Sequence, residues 1–209
     1  MTKRAASKKV VTASAKYSYA IDFFASLYPI SIAFKNKLQE LSFHTQLKKG
    51  DYLLKKGDIS TTVYFIKKGV VHGYIDQGKK EITTWVSCEN EMVTSISSFF
   101  NGTPAKENIR ALEACELEGI SVTDLQYMYK HFPEANILAR IVLEQYYQDA
   151  EDRAFISKLS NAKEKYAYLL QSKHGRMLTM VPLKYVASFL GMRLETLIRL
   201  RSSIALKNK

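Results

Sequence analysis

Residues 181–201 have the sequence VPLKYVASFLGMRLETLIRLR, and their spacing predicts two short helices joined by a glycine turn. Pro182 suits the first turn of a helix, because an N–H at that position has no helical partner in any case. Gly191 can adopt the left-handed backbone that a tight turn needs. The apolar residues that fall on one helical face before and after the glycine are Val186, Ala187, Leu190, Leu194, Leu197 and Leu200. This pattern is typical of a helix-turn-helix.

The second predicted helix carries a polar face that is suited to a nucleic acid. Its members are Arg193, Glu195, Thr196, Arg199 and Arg201. Side chains of these types bind phosphates and contact base edges in the major groove of DNA. The alternative is an amphipathic helix pair without this role, because any two such helices joined by a glycine show similar spacing.

Positive charge is concentrated at the two ends of the chain. Residues 161–209 contain ten lysines and arginines against two glutamates, a balance of +8 within a total of +11. Residues 1–16 add five positive charges, and residues 17–160 are close to neutral at −2. A basic end on a near-neutral body is typical of a polyanion binder, and for a helix-turn-helix that polyanion is double-stranded DNA.

Composition indicates a globular protein, since 46% of its 209 residues are hydrophobic. No run of eighteen apolar residues occurs, and residues 1–16 lack the apolar centre of a signal peptide. We therefore expect a cytoplasmic protein with no membrane partner and interpret 1–16 as a mobile basic tail. The spacing of Cys88 and Cys115 suits no zinc site, so we expect two buried thiols and no metal.

The first two thirds of the chain change periodicity near Thr45. Residues 17–44 have helical spacing interrupted at Pro29, which predicts two short helices. From Thr45 the period is two, and glycine turns separate strand-sized apolar runs. Further strands are predicted at 82–86 and 112–120. Many short strands joined by glycine turns indicate a small barrel or jelly roll, and the later helices make the fold class α+β.

A long helix is predicted between Pro133 and Ser160, where there is neither glycine nor an internal proline. One stripe of this helix contains Ala139, Leu143, Tyr146, Ala150 and Ala154. Small residues in such a stripe allow a second helix to approach, so we favour a dimerisation helix. The alternative is a helix that packs only on its own barrel.

Two segments in the first half of the chain resemble a known domain. KKGDYLLKKGD at 48–58 and VYFIKKGVV at 63–71 resemble the opening of the cyclic-nucleotide-binding jelly roll, and the helix-turn-helix resembles that of the Crp/Fnr family of bacterial transcription regulators. This resemblance implies a jelly roll over 17–132, a long dimerisation helix over 133–160 and a helix-turn-helix domain over 161–209. It also implies a homodimer whose second motif helix enters the major groove, and RNA polymerase as a partner.

The resemblance also locates an effector pocket. Relatives that bind cyclic nucleotides hold the ribose with a Gly-Glu pair and the phosphate with an arginine followed by serine or threonine. In this chain Glu91 matches the glutamate, Asn90 replaces the glycine, and Ala105 and Lys106 stand at the arginine and serine positions. The phosphate arginine is therefore missing. We expect no conventional binding of cyclic AMP and no cofactor, and a pocket that is altered, empty or adapted to another ligand.

The resemblance also assigns roles in DNA recognition. Glu195 and Arg199 match the residues that relatives use on base edges, and Thr196 matches a phosphate-contacting threonine. Leu194 replaces a base-reading arginine, which would exchange a guanine contact for an apolar contact with a thymine methyl group. The positions expected to bind phosphates are Arg193, Lys184 and Arg201.

The expected function is therefore a sequence-specific DNA-binding transcription regulator with a degenerate effector pocket. A second hypothesis is a cyclic-nucleotide or small-ligand sensing module that acts through protein contacts, with a vestigial DNA-binding domain. The apolar residues Leu194 and Ile198 in the recognition helix motivate this alternative. We do not expect an enzyme, since no spacing of nucleophile and base, no metal cluster and no phosphate loop is present.

Overall fold

A computed structural model of the chain describes residues 11–12 and 17–205. These residues form two compact units. The first contains the residues up to Val71 together with Ser87–Val142, and the second contains His72–Val86 and the residues from Leu143 onward. Each unit combines β-strands with helices.

A five-stranded antiparallel sheet forms the centre of the first unit. With strands numbered in chain order, it contains β1 (Val11–Thr12), β2 (Phe43–Leu47), β4 (Thr62–Lys68), β7 (Met92–Val93) and β9 (Cys115–Ser121). Their order across the sheet is β1-β2-β9-β4-β7. In the central strand β9, Leu117 lies opposite Thr45, and Gly119 lies opposite Tyr64.

This unit also contains a pair of strands, one of which has a predicted glycine turn at each end. β3 (Tyr52–Leu54) pairs antiparallel with β8 (Asn108–Ala111). Gly50 and Gly57, on either side of β3, have φ angles of +91° and +90°. Only glycine adopts this region without strain, so the chain can reverse sharply at both ends of a short strand.

Four helices accompany these strands: α1 (Tyr19–Leu27), α2 (Ile32–Leu41), α3 (Ile96–Asn101) and α4 (Val122–His131). The break at Pro29 separates α1 from α2, as predicted. Ser31 caps α2 by accepting a hydrogen bond from the N–H of Phe34 at 3.1 Å. The helices pack through a buried cluster that includes Phe34, Leu38, Phe65, Met128 and Leu138.

The second unit contains a β-hairpin and the C-terminal helices. β5 (Val71–Gln77) and β6 (Lys80–Ser87) form the hairpin, and the turn contains Gly78 at φ +62°. α5 (Pro133–Lys158) belongs to the first unit up to Val142 and to the second from Leu143. The other helices are α6 (Ala162–Gln171), α7 (Met177–Met180), α8 (Leu183–Phe189) and α9 (Leu194–Ala205), with a 3₁₀ turn at Lys173–Arg176. α5 begins at Pro133 and continues for 26 residues, so the predicted long helix is confirmed.

Antiparallel strands followed by helices confirm the predicted α+β class, but two local expectations differ from the structure. The strand predicted at 112–120 is wrong at its start, because β8 ends at Ala111 and β9 begins only at Cys115. Leu112 follows β8 directly and donates its N–H to the carbonyl of Val70 at 2.8 Å. Within the predicted tail at 1–16, Val11–Thr12 forms strand β1, and the other fourteen residues lie outside the described part.

The domain boundaries predicted at 16/17, 132/133 and 160/161 stay a prediction. The two compact units are divided at other positions of the chain. The hairpin of β5 and β6 is grouped with the C-terminal helices. Within residues 11–12 and 17–205, no helix has both the length and the apolar character needed to cross a membrane.

Candidate nucleic-acid interface and effector pocket

The turn between α8 and α9 has the geometry of a helix-turn-helix corner. Gly191 follows α8 with a φ angle of +63°. Its N–H donates to the carbonyl of Ser188 at 3.1 Å, and the N–H of Met192 donates to the carbonyl of Ala187 at 3.0 Å. This pair of bonds is the Schellman arrangement, which satisfies the last carbonyls of a helix through a left-handed residue. The glycine therefore sets the direction in which α9 leaves the turn.

The inner faces of the two helices are buried. Val186, Ala187 and Leu190 on α8 and Leu197 on α9 have almost no exposed surface. The ammonium group of Lys165, on α6, donates to the carbonyl of Leu190 at 3.1 Å and helps to cap α8. Tight packing on one side leaves the opposite side of α9 as a rigid surface.

The outer face of α9 brings together two of the predicted recognition residues. Glu195 and Arg199 are exposed and lie one turn apart, about 40° from each other around the helix. Ile198 is exposed on the same side. Arg201 is also exposed but lies about 120° around the helix from Glu195.

The other predicted DNA contacts are distributed more widely. Arg193 directly precedes α9 and is exposed, and its carbonyl accepts a hydrogen bond from the N–H of Leu197 at 3.2 Å. Lys184 is exposed near the start of α8, with its ammonium group 4.7 Å from the ring centre of Tyr185. Leu194 and Thr196 are only half-exposed, so less of their surface is available to a ligand than of Glu195 or Arg199.

α8 is attached to the hairpin by contacts that the sequence did not indicate. The hydroxyl of Ser188 accepts a hydrogen bond from the N–H of Thr83 at 2.9 Å and donates to the carbonyl of Glu81 at 3.4 Å. The ring of Tyr185 meets the buried ring of His72 edge to face, with 4.8 Å between centres. These contacts join residues that are more than a hundred positions apart, so no periodic pattern could have revealed them.

The outward stripe of α5 differs slightly from the predicted one. Leu143 is 43% exposed and Tyr147 is 65% exposed, while Tyr146 is half-buried with the guanidinium of Arg153 5.5 Å from its ring centre. Ala154 is exposed two turns beyond Tyr147. Tyr147 rather than Tyr146 is thus the large exposed aromatic residue of this stripe.

Glu91, predicted to contact a ribose, lies in a turn with unusual backbone geometry. Its side chain is half-buried, and one carboxylate oxygen accepts a hydrogen bond from the N–H of Cys88 at 3.3 Å. The preceding Asn90 has a φ angle of +66°. Asparagine tolerates this conformation better than most residues other than glycine, so the turn forms here without a glycine.

Ala105, which the sequence predicts to stand at the phosphate-arginine position, is held by its backbone. It is 4% exposed, its N–H donates to the carbonyl of Asp58, and its carbonyl accepts from the N–H of Gly57, both at 2.8 Å. Lys106 next to it is exposed. The side chain of Ala105 is therefore a buried methyl group, and the side chain of the adjacent Lys106 is in solvent.

Three buried hydroxyls near α3 bind to neighbouring protein groups. The Ser98 hydroxyl accepts from the N–H of Ser60 at 2.8 Å and donates to the carbonyl of Thr103 at 2.6 Å. The hydroxyls of Ser60 and Thr94 are 2.9 Å apart. These contacts satisfy polar groups that are shielded from water.

The two cysteines have the properties expected of buried thiols. Cys88 and Cys115 are both buried. Burial raises the pKa of the Cys115 thiol to about 11, which keeps it protonated and unreactive at neutral pH. Among the described residues there is no group of three or more histidine, cysteine, aspartate or glutamate side chains placed to hold a metal ion.

Comparison with known proteins finds a family match over the middle part of the chain. Residues 44–132 match the family model of the cyclic nucleotide-binding domain. A cyclic nucleotide-gated channel of Caenorhabditis elegans is 33% identical over 107 residues, which are 48% of this chain and 15% of the channel. The chain thus spans a small part of that relative, and the likeness concerns the domain.

Solved structures extend the likeness to the whole fold. FixK2 from Bradyrhizobium japonicum has a TM-score of 0.70 at 14% identity, over 80% of this chain and 86% of FixK2. A protein from Eubacterium rectale described as a Crp/Fnr-family transcriptional regulator has a TM-score of 0.66 at 15% identity, over 89% of this chain and 88% of its own. The catabolite activator protein of Thermus thermophilus has a TM-score of 0.53 at 16% identity, over 89% of this chain and 88% of the activator protein.

The resemblance predicted from the sequence is confirmed at the level of domain and fold. Residues 44–132 match the cyclic nucleotide-binding domain, and the structural neighbours of the chain include FixK2, a catabolite activator protein and a protein described as a Crp/Fnr-family regulator. At identities of 14–16% these neighbours define the fold.

Proposed function

We propose that the protein is a sequence-specific DNA-binding transcription regulator of the Crp/Fnr type. The observation that carries the proposal is the outer face of α9, where Glu195 and Arg199 are exposed one turn apart on a helix fixed by the Gly191 corner. Arginine donates to guanine and glutamate accepts from cytosine in the major groove. The helix can therefore present both a donor and an acceptor to base edges.

Charge supports DNA as the partner. Residues 161–209 carry a balance of +8, and Lys184, Arg193 and Arg201 are exposed around the two motif helices. Cations at these positions neutralise backbone phosphates and release counterions, which supplies affinity without sequence preference. Thr196 and Leu194 are half-exposed. In this proposal Thr196 contacts a phosphate, and Leu194 adds an apolar contact.

A homodimer completes the proposal. Leu143, Tyr147 and Ala154 form an exposed stripe on α5 that a second copy of this helix would cover. Two recognition helices in one dimer would contact the two halves of a palindrome and combine two modest affinities. RNA polymerase is the protein partner that the family resemblance implies.

The effector pocket is degenerate in this proposal. A buried Ala105 and an exposed Lys106 replace the groups that hold the cyclic phosphate, and Glu91 already accepts a backbone hydrogen bond. Cyclic AMP would therefore lack its bidentate cationic partner. No catalytic role is proposed, and turnover of a cyclic nucleotide by the purified protein would contradict this.

The test is a selection of the purified protein against a random pool of DNA duplexes, with and without cyclic AMP and cyclic GMP, at two salt concentrations. Enrichment of a two-fold palindrome under all conditions is expected. Enrichment only with a nucleotide would overturn the degenerate pocket. If no sequence is enriched, the DNA-binding regulator is overturned.

Variants refine this test. The double variant Glu195→Ala with Arg199→Ala should lose preference for the selected site. Lys163→Ala with Glu164→Ala is the matched control, because it also removes one charge of each sign from exposed positions in the C-terminal segment. Specific binding that survives in the first double variant would contradict the assignment of these residues.

A second candidate is a ligand-sensing module that acts through protein contacts. The match of residues 44–132 to the cyclic nucleotide-binding domain and the exposed Ile198 on α9 favour it. This candidate predicts DNA binding with a steep salt dependence and no preferred site.

A further inference from the structure

The outer face of α9 contains one large apolar side chain. Ile198 is 45% exposed, whereas Leu197 is fully buried and Leu194 and Leu200 are half-buried. Among residues 194–203, whose side chains the structure describes, Ile198 is the one large hydrophobic residue with this much exposed surface. Its side chain is thus available to a ligand.

Ile198 lies beside the two residues to which we assign base contacts. It lies three positions after Glu195, which places the two about 60° apart around the helix, and the adjacent Arg199 is about 100° away. All three belong to the first two turns of α9. In helix-turn-helix proteins the N-terminal part of the recognition helix contacts base edges.

The chemistry of this side chain limits what it can recognise. Isoleucine neither donates nor accepts hydrogen bonds, so it cannot satisfy the polar edges of guanine, adenine or cytosine. In the major groove the apolar group is the 5-methyl of thymine. A base whose polar edge is covered by isoleucine loses hydrogen bonds to water and gains none in return.

We propose that Ile198 contacts the 5-methyl group of one thymine in each half-site and so determines part of the DNA sequence that is bound. The inference rests on the proposed function. It assigns a specificity role to a residue outside the set of polar contacts. It also differs from the expectation that Leu194 makes the thymine contact, because Leu194 is the less exposed of the two.

The experiment uses the full chain and the duplex enriched by selection. Each thymine of the half-site is replaced in turn by uracil, in both halves of the palindrome. Uracil lacks only the methyl group and keeps the hydrogen-bonding edge. Affinity is measured for the unchanged protein, for Ile198→Ala and for Leu194→Ala, and circular dichroism verifies that each variant is folded.

For the unchanged protein we expect uracil at one position to weaken binding by roughly three- to fivefold per half-site, about the value of one buried methyl group. In Ile198→Ala the same replacement should have no effect, and in Leu194→Ala it should keep its effect. This pattern identifies the pair of groups in contact.

Three results would overturn the inference. If uracil at every position leaves the affinity of the unchanged protein the same, a contact with a thymine methyl group is excluded. A uracil effect that persists in Ile198→Ala, or disappears in Leu194→Ala alone, would assign the contact to another residue. Failure to enrich any site would overturn the inference together with the proposed function, whereas the first two results leave sequence-specific binding intact.

Discussion

The hydroxyl of Ser188, on the first helix of the helix-turn-helix, accepts a hydrogen bond from the N–H of Thr83, on strand β6, at 2.9 Å. The same hydroxyl donates to the carbonyl of Glu81 at 3.4 Å. A single side chain therefore binds a donor and an acceptor of the hairpin backbone. Because α9 is joined to α8 by the Gly191 corner, this contact also helps to position α9.

Ser188→Ala should destabilise the second unit. Thr83 is buried, and without the Ser188 hydroxyl its N–H has lost its acceptor. An unsatisfied buried donor lowers the free energy of unfolding by about 1–3 kcal/mol. Chemical denaturation should show this decrease, and hydrogen exchange of the Thr83 amide should accelerate. Ser203→Ala is the control, since that exposed hydroxyl donates to the carbonyl of Leu200 within α9. Unchanged exchange at Thr83 in Ser188→Ala would contradict the prediction.

Gly191→Ala should destabilise the helix-turn-helix through the backbone. A Cβ atom at this position would come within 4 Å only of the ammonium group of Lys165, at 3.5 Å, so there is little steric conflict. The φ angle of +63° would remain unfavourable and cost about 1 kcal/mol. Gly191→Asn should lose less stability than Gly191→Ala, because asparagine tolerates the left-handed region of backbone conformation. Thermal unfolding of both variants measures the difference, and equal stability would refute the backbone explanation.

Ala105→Arg should create affinity for cyclic AMP. The guanidinium would supply the bidentate phosphate partner that this chain lacks, and a charged hydrogen bond of this kind corresponds to a gain of about 10- to 100-fold. Ala105→Gln, of similar length and without charge, is the matched control. Calorimetric titration with cyclic AMP measures the affinity. The same affinity in the arginine and glutamine variants would show that Ala105 does not occupy the phosphate position.

Asp149 should make stability depend on pH in the acid range. Burial opposes its ionisation, but the adjacent His174 and Lys173 outweigh burial and hold its pKa below the ordinary value of 3.8. A lowered pKa in the folded state means that the stabilisation is complete above about pH 4 and is lost as pH falls through the folded value.

Asp149→Asn should therefore reduce the free energy of unfolding at pH 7, and its difference from the unchanged protein should shrink as pH falls below 3.8. Glu151→Gln is the control, because Glu151 is exposed on the same helix. Unfolding by urea at several pH values gives the comparison. A difference that stays constant down to pH 2 would rule out the titration of Asp149 as its cause.

Much of the fold could be predicted because its causes are local. The break between α1 and α2 follows from Pro29, and the uninterrupted helix α5 follows from the lack of glycine and internal proline after Pro133. The strand at 112–120 was misplaced because apolar alternation alone does not show where backbone pairing begins.

The candidate site was predictable in part. The sequence already indicated Glu195 and Arg199 as neighbours on one face, since their separation of four residues is nearly one helical turn. The sequence did not show whether Ile198 is buried or exposed, because its position lies at the border between the inner and outer faces of α9. Packing against α6 and α8 decides on which side such a residue falls.

The sequence by itself determined the helix pair around Gly191, the basic C-terminal segment and the presence of alanine at position 105. Each depends on residue type and spacing along a short stretch, and these are properties of the chain before it folds. Only the tertiary structure decided that Ser188 bonds to the hairpin, that Ala105 is tied to the Gly57–Asp58 turn and that Ile198 rather than Leu194 is exposed. These contacts depend on which distant segments become neighbours, and that is settled by burial and backbone hydrogen bonding over the whole unit.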